Sequence, residues 1–184
     1  DAPIVPVSAK TGKGMDLLRK TLQEQLAKAP VRDRNGAIRM PVDRVFSKTG
    51  FGTVVTGSVW SGTLHKGDRI ALMPAGLETK VRGLQVHGSD VESATAGQRV
   101  AVNLAGVEME QAHRGHVLST PDSLRPTSRL DVRLQVLAKN PRPLKHRAQI
   151  RLYCGTCEAF GQVYLLEGDL VEPGESVLVQ LILQ

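Results

Sequence analysis

Aromatic side chains are scarce in this sequence, with three Phe, two Tyr and one Trp among 184 residues. Apolar residues still make up 41% of the chain, so a core built from it has to be aliphatic. Cysteine is scarce too. Two thiols cannot staple a chain this long, which argues against a secreted disulfide scaffold. No apolar run approaches the ~18 residues of a membrane span, and no signal peptide opens the chain. Charge of one sign is in small excess only: 24 basic against 18 acidic residues give a net charge of +6. That is weak evidence for a nucleic-acid partner. At 23% charged residues the composition is not that of a disordered chain. The expectation is a soluble intracellular protein with no membrane partner.

Helical periodicity occurs once. Residues 1–7 (Asp-Ala-Pro-Ile-Val-Pro-Val) are short, apolar and β-branched, and predict a buried strand. A Gly-rich turn follows from Ser8 to Gly14. Met15, Leu18, Leu22 and Leu26 then recur at spacings of three and four, with Leu17 beside them and Arg19, Lys20, Gln23 and Glu24 on the other face. This predicts one amphipathic helix ended by Pro30. One strand and one helix cannot bury both their faces. Residues 1–30 are therefore expected to be the last βα unit of a larger α/β domain, and 31–36, polar and Gly-ended, a linker.

Beyond residue 37 the pattern is β. Strands are predicted near 38–46, 53–60, 69–73, 80–86, 98–105, 129–138, 147–154, 160–166 and 176–183, separated by turn signals such as Thr49-Gly50, Lys66-Gly67-Asp68 and Glu172-Pro173-Gly174-Glu175. Leu130, Val132, Leu134 and Val136 alternate with Arg129, Asp131, Arg133 and Gln135, which predicts one buried and one wet face. Short strands with frequent turns suggest closed or nearly closed barrels. A Pro-bracketed polar stretch at 120–128 divides them into a first barrel over 37–124 and a second over 125–184, the latter ending within a strand pattern. The expected fold class is mainly β, two consecutive β-barrels preceded by a terminal strand-helix unit.

Three features invite a chemical reading. Arg142, Lys145, His146 and Arg147 cluster in a Pro-containing stretch, which reads as a phosphate-contacting loop or a solvated turn. Cys154-Gly155-Thr156-Cys157 is a C-x-x-C without the second ligand pair of a zinc site. It also lacks the helix that follows a redox motif, so it reads as two incidental thiols or, less readily, as a metal or redox module. The glycine-rich turn at 50–57 is followed by β-branched residues rather than a helix, so tight turns explain it better than phosphate binding. The histidines form no triad with Ser, Cys or Asp, and no catalytic constellation is visible.

Several stretches carry a family resemblance. Gly50-Phe51-Gly52-Thr53-Val54-Val55-Thr56-Gly57, preceded by Asp43-Arg44-Val45-Phe46, resembles the signature of the second domain of translational GTPases of the elongation factor Tu class. Lys66-Gly67-Asp68, the run from Ala96 to Leu104 and Arg114-Gly115-His116-Val117-Leu118 fit that domain in order and spacing. The stretches from Arg82 to Gly88 and from Gly97 to Glu108 are most similar to bacterial selenocysteine-specific elongation factors.

The resemblance implies the end of a GTPase domain followed by domains II and III. Its parent would carry selenocysteinyl-tRNA to the ribosome in the cytoplasm, using GTP and magnesium. In the family, a loop like Ser8-Ala9-Lys10 meets the guanine base. Nothing in the chain matches a G-x-x-x-x-G-K-[ST] phosphate loop or an Asn-Lys-x-Asp motif, so this chain is expected neither to bind nor to hydrolyse GTP alone. The family's winged-helix domains are likewise not in it. Asp43, Arg44 and Arg99 match the family's pocket for the aminoacyl end, where guanidinium groups favour a selenolate over a neutral serine hydroxyl. The other reading of these residues is an ordinary surface pair. The third domain would touch the tRNA arm through Arg142, Lys145 and Arg147. A general elongation or initiation GTPase that binds other aminoacyl-tRNAs is the alternative.

Overall fold

The computed structural model describes residues 2–30, 32–48 and 50–184. Val31 of the expected linker and Thr49 of a predicted turn lie outside them, as does Asp1. The chain divides into two compact units, 1–32 and 33–184.

In the first unit, helix α1 runs over Met15–Lys28, and Gly14 precedes it with φ +77°. A Cβ at Gly14 would fall on the Pro6 carbonyl oxygen, so the turn into the helix requires glycine on two counts. The Ser8 side chain receives the Thr11 N–H (3.3 Å), and the Ser8 carbonyl receives the Gly12 N–H (2.9 Å). The strand predicted before this turn does not form: residues 2–7 pair with no other strand among the described residues, and Ile4 is 94% exposed. An apolar run becomes a strand only beside a second strand, and the described residues of this unit supply none. For the same reason Leu22 and Leu26 of the predicted stripe stay exposed, as does Leu17 beside it.

Among its described residues the second unit is built of strands, with one 3₁₀ turn at Met109–Gln111. Nine strands come first: β1 (Arg39–Lys48), β2 (Gly52–Ser58), β3 (Thr63–His65), β4 (Arg69–Met73), β5 (Leu77–Val86), β6 (Ser89–Val91), β7 (Ser93–Thr95), β8 (Arg99–Leu104) and β9 (Val117–Ser119). Their order is β4-β9-β1-β2-β8-β5, and β5 pairs back with β4, which closes a six-stranded barrel. The aliphatic core expected from the composition fills it. Met40, Val42, Val55, Ile70, Leu72, Val102, Leu104 and Leu118 are all nearly inaccessible. β8 shows how the period of two does this, with Val100, Val102 and Leu104 facing inward. Gly57, opposite Val42, leaves no room for a side chain, because a Cβ there would meet the Pro41 carbonyl.

Residues 33–36 are packed onto this barrel rather than extended. The Asp33 carboxylate receives the Asn35 and Gly36 N–H groups, and its carbonyl receives that of Gly62 (2.9 Å).

A second set of strands follows: β10 (Arg129–Gln135), β11 (Leu144–Lys145), β12 (Gln149–Cys154), β13 (Cys157–Leu165), β14 (Leu170–Val171) and β15 (Ser176–Leu183). A four-stranded sheet of order β10-β15-β13-β12 and a ribbon of β11 and β14 enclose a smaller core of Val136, Val163, Leu165, Val171, Val179 and Leu181. The predicted alternation of β10 holds, its inner residues being half-buried.

Candidate functional site

The site grows out of an irregularity in β1. Val42 pairs with Gly57 and Arg44 with Thr56, so two residues of β1 oppose one step of β2 and Asp43 sits in a bulge. On β2's other side lies β8, where Arg99 pairs with Ser58. The pairing of β1 and β8 on either side of β2 therefore brings Arg99 within reach of Asp43 across the intervening strand.

The contact is bidentate. Arg99 Nη1 donates to Asp43 Oδ2, and Arg99 Nη2 donates to Oδ1 at 2.9 Å. The hydroxyl of Thr56, between them on β2, donates to Asp43 Oδ1 (2.8 Å) and receives Arg99 Nη2 at 3.4 Å. Hydrogen bonding from Arg99 is the main reason the Asp43 carboxyl is held below the ordinary carboxylate range. Partial burial opposes this, while the Thr56 hydroxyl and the charges of Arg99 and Arg44 add to it. The Arg99 guanidinium is raised in turn by Asp43. With Asp43 22% and Arg99 50% exposed, the pair is neither a buried ion pair nor a free surface one.

Arg44 is exposed and makes no ion pair among the described residues. It lines an open cleft with Asp43, Phe46, Met109, His113 and Arg114. At the back of this region the His113 and His116 rings meet edge to face, 5.2 Å apart. Burial, with help from His113, pushes the His116 imidazole down. Its Nδ1 is buried without a partner among the described residues.

A second cleft, of about 150 Å³, opens on the same barrel. Phe46, Phe51, Val54 and Leu84 give it apolar walls, and Gln85, Asp90 and Asn103 supply polar atoms. Gln85 Nε2 is held by Asp90 (2.9 Å), whereas Asn103 Oδ1 is buried and has no partner among the described residues. Neither this cleft nor Thr56 was singled out from the sequence. Their signal lies in the register: Thr56 opposes Arg44, and Asn103 opposes Val54, once β1, β2 and β8 are aligned.

The other predicted residues lie elsewhere. Ser8, Ala9 and Lys10 form the turn before α1 in the first unit. Arg142, Lys145 and Arg147 lie in and on either side of the short strand β11. All three are exposed and free of ion pairs among the described residues. Arg147 lies over the Tyr164 ring, 5.7 Å from its centre. Cys154 and Cys157 are free thiols on either side of a two-residue turn. No group of three His, Cys, Asp or Glu among the described residues is arranged to hold a metal ion. No helix among them is long and apolar enough to cross a membrane.

Comparison with known proteins places this geometry. The family described as elongation factor Tu domain 2 matches residues 52–119. A selenocysteine-specific elongation factor of Desulfomicrobium baculatum is 44% identical over 180 residues, which is 98% of this chain and 28% of that protein. Over nearly its whole length the chain is thus similar to a part of selenocysteine-specific elongation factors. The crystal structure of a bacterial one, EF-Sec, superposes with a TM-score of 0.84 at 28% identity, covering all of this chain and 29% of that one. The wider class is represented by elongation factor Tu 2 of Streptomyces avermitilis, 36% identical over 152 residues, 80% of this chain and 39% of that protein. The chain thus spans between about a quarter and two fifths of these relatives.

Proposed function

We propose that this chain is the part of a GTP-dependent elongation factor that grips selenocysteinyl-tRNA, with the aminoacyl end on the first barrel. Residues 1–30 would be the end of the GTPase domain, 37–124 domain II and 125–184 domain III. The observation that carries the reading is the Asp43–Thr56–Arg99 cluster beside the exposed Arg44, on a chain similar to a part of these factors.

Asp43 and Thr56 take two edges of the Arg99 guanidinium and fix its plane. Arg99 keeps N–H donors beyond those it gives to Asp43, and Arg44 gives none of its own to an acceptor among the described residues. A selenol has a low pKa and is a selenolate at neutral pH, so preoriented guanidinium groups attract it. A serine hydroxyl stays neutral and gains far less. Hydrogen bonds to charged groups are worth about 1.5–3 kcal/mol each, enough for two to separate the substrates strongly.

The neighbouring apolar cleft suits a flat ring bearing an N–H donor, because Asn103 Oδ1 there has no partner among the described residues. The terminal adenine of the tRNA has such a donor, its exocyclic amine. Arg142, Lys145 and Arg147 are proposed to meet phosphates of the tRNA arm. Guanine nucleotide and magnesium, the ribosome and the cytoplasm belong to the proposal for the whole factor. Within this chain only Ser8, Ala9 and Lys10 would face the nucleotide, at its base.

The test is protection of the aminoacyl ester from hydrolysis by the protein carrying its GTPase domain, with GTP present. Selenocysteinyl-tRNA is expected to be protected far more than seryl-tRNA, and Arg99→Ala to erase the difference. Equal protection of the two by the unmutated protein would sink the selenocysteine reading in favour of a general elongation factor.

A further inference from the structure

The C-x-x-C hairpin, unused in the reading so far, reaches the aminoacyl pocket from behind. Gly155 and Thr156 form the two-residue turn between β12 and β13, with Gly155 at φ +61°. A Cβ at Gly155 would lie 3.1 Å from Trp60 Cη2 and 3.2 Å from Pro41 Cγ, so the tip seats on the first barrel because it has no side chain there. Across the same seat, a Cβ at Gly115 would lie 3.2 Å from Cys157 Cα. The Thr156 hydroxyl donates to the carbonyl of Val42 at 2.7 Å.

That carbonyl belongs to the peptide group joining Val42 to Asp43. In a regular strand the ladder fixes each peptide plane, but the β1–β2 register shifts here. The Val42 carbonyl is held instead by two donors from outside that ladder, Thr156 Oγ1 and the Gly115 N–H (3.1 Å). The Val42 N–H is tied to the His116 carbonyl (2.8 Å). Turning this peptide plane turns Asp43, and with it the carboxylate that aligns Arg99.

We infer that Thr156 is a positioning residue for the aminoacyl pocket: its hydroxyl, contributed by the second β set, fixes the Val42–Asp43 peptide and so the Asp43–Arg99 pair. This rests on the pocket assignment above only for its meaning in tRNA selection; the geometric claim stands apart from it. The groups facing Asp43 are Arg99, Arg44 and Thr56, and none is touched by changing Thr156.

The experiment is a carboxyl-carbon NMR titration of Asp43 in the 184-residue chain. Thr156→Val keeps the shape and removes the donor, and Thr156→Ser restores it. The Asp43 midpoint is expected to rise in Thr156→Val towards that of Arg99→Ala, and to return in Thr156→Ser. A folded Thr156→Val protein whose Asp43 titrates as in the unmutated chain would overturn the proposal, because a contact that only glues the two β sets lowers stability without moving that midpoint. Should Thr156→Val not fold, Thr156→Ala removes the same donor with less crowding.

Ester protection by the protein with its GTPase domain then separates the two claims. If Arg99 sets selectivity, Thr156→Val lowers the selenocysteinyl-to-seryl ratio by about two- to tenfold, the scale of one ordinary hydrogen bond. If Arg99→Ala leaves the ratio unchanged, the pocket assignment falls and the titration alone decides the role of Thr156.

Discussion

Arg99 and Asp43, 56 residues apart in sequence, meet guanidinium edge to carboxylate edge, one nitrogen to each oxygen. Two parallel hydrogen bonds define a plane as well as a distance, which a lysine at position 99 would not do. The pair is therefore better suited to presenting an oriented cation than to holding the barrel together.

Arg99→Ala is expected to cost little stability, about 1 kcal/mol or less, because the guanidinium is half exposed. The cost has a pH signature. Asp43 titrates lower in the folded chain than in the unfolded one, where a carboxyl sits near about 3.9. Its stabilising contribution is thus full above that value and disappears as pH falls through the folded midpoint. Urea midpoints of the unmutated and Arg99→Ala chains should differ at pH 7 and converge in acid.

His116 titrates in a different window. Its imidazole is pushed down by burial, so between the folded midpoint and the unfolded one, near about 6.5, the unfolded chain binds more protons. Stability should fall as pH drops through 6.5. His116→Gln should lose part of that dependence, read as a smaller change in melting temperature between pH 7.5 and about 5.5.

The first barrel tests the packing reading. Leu72→Ala or Leu118→Ala should destabilise by about 2–5 kcal/mol, since both side chains are fully inaccessible. Leu178→Ala, on the outer face of β15 and 52% exposed, should stay within about 0.5 kcal/mol. Equal losses at the three positions would contradict the core described here.

If the second β set contacts tRNA phosphates, Lys145→Gln and Arg147→Gln should weaken binding whatever amino acid is attached. Each lost contact should also flatten the plot of log affinity against log salt by about 0.7–0.9. An unchanged salt slope would remove these residues from the interface.

The longer strands were legible because their periodicity runs through several residues, as in Leu130, Val132 and Leu134 of β10 or Val100, Val102 and Leu104 of β8. Strands of two or three residues, such as β3, β9 and β14, contain too few positions to show a period and were missed. The apolar run at 2–7 misled because β-branched residues report a fitness for sheets, while a strand also needs a neighbour. Asp43 and Arg99 entered through family resemblance alone. What brings them together is the β1-β2-β8 strand order and the bulge in β1, a long-range property that spacing does not encode. Thr56 and Thr156 escaped notice because a threonine in a β-rich stretch looks like a strand former, and its hydroxyl gains a role only when a carboxylate or a carbonyl is placed opposite.

The two β sets differ in what their outermost strands leave open. The first closes on itself, so its six strands have no free border. In the second, β10 and β12 each pair on one side only among the described residues, leaving main-chain donors and acceptors along two margins. Such a margin is a template for strand addition by another chain. Here it carries Arg129, Asp131 and Arg133 on one side and Arg151 on the other, all exposed. Charged side chains along a sheet margin oppose strand addition by another copy. Neutralising those arginines should promote oligomers before it affects the Asp43–Arg99 pair.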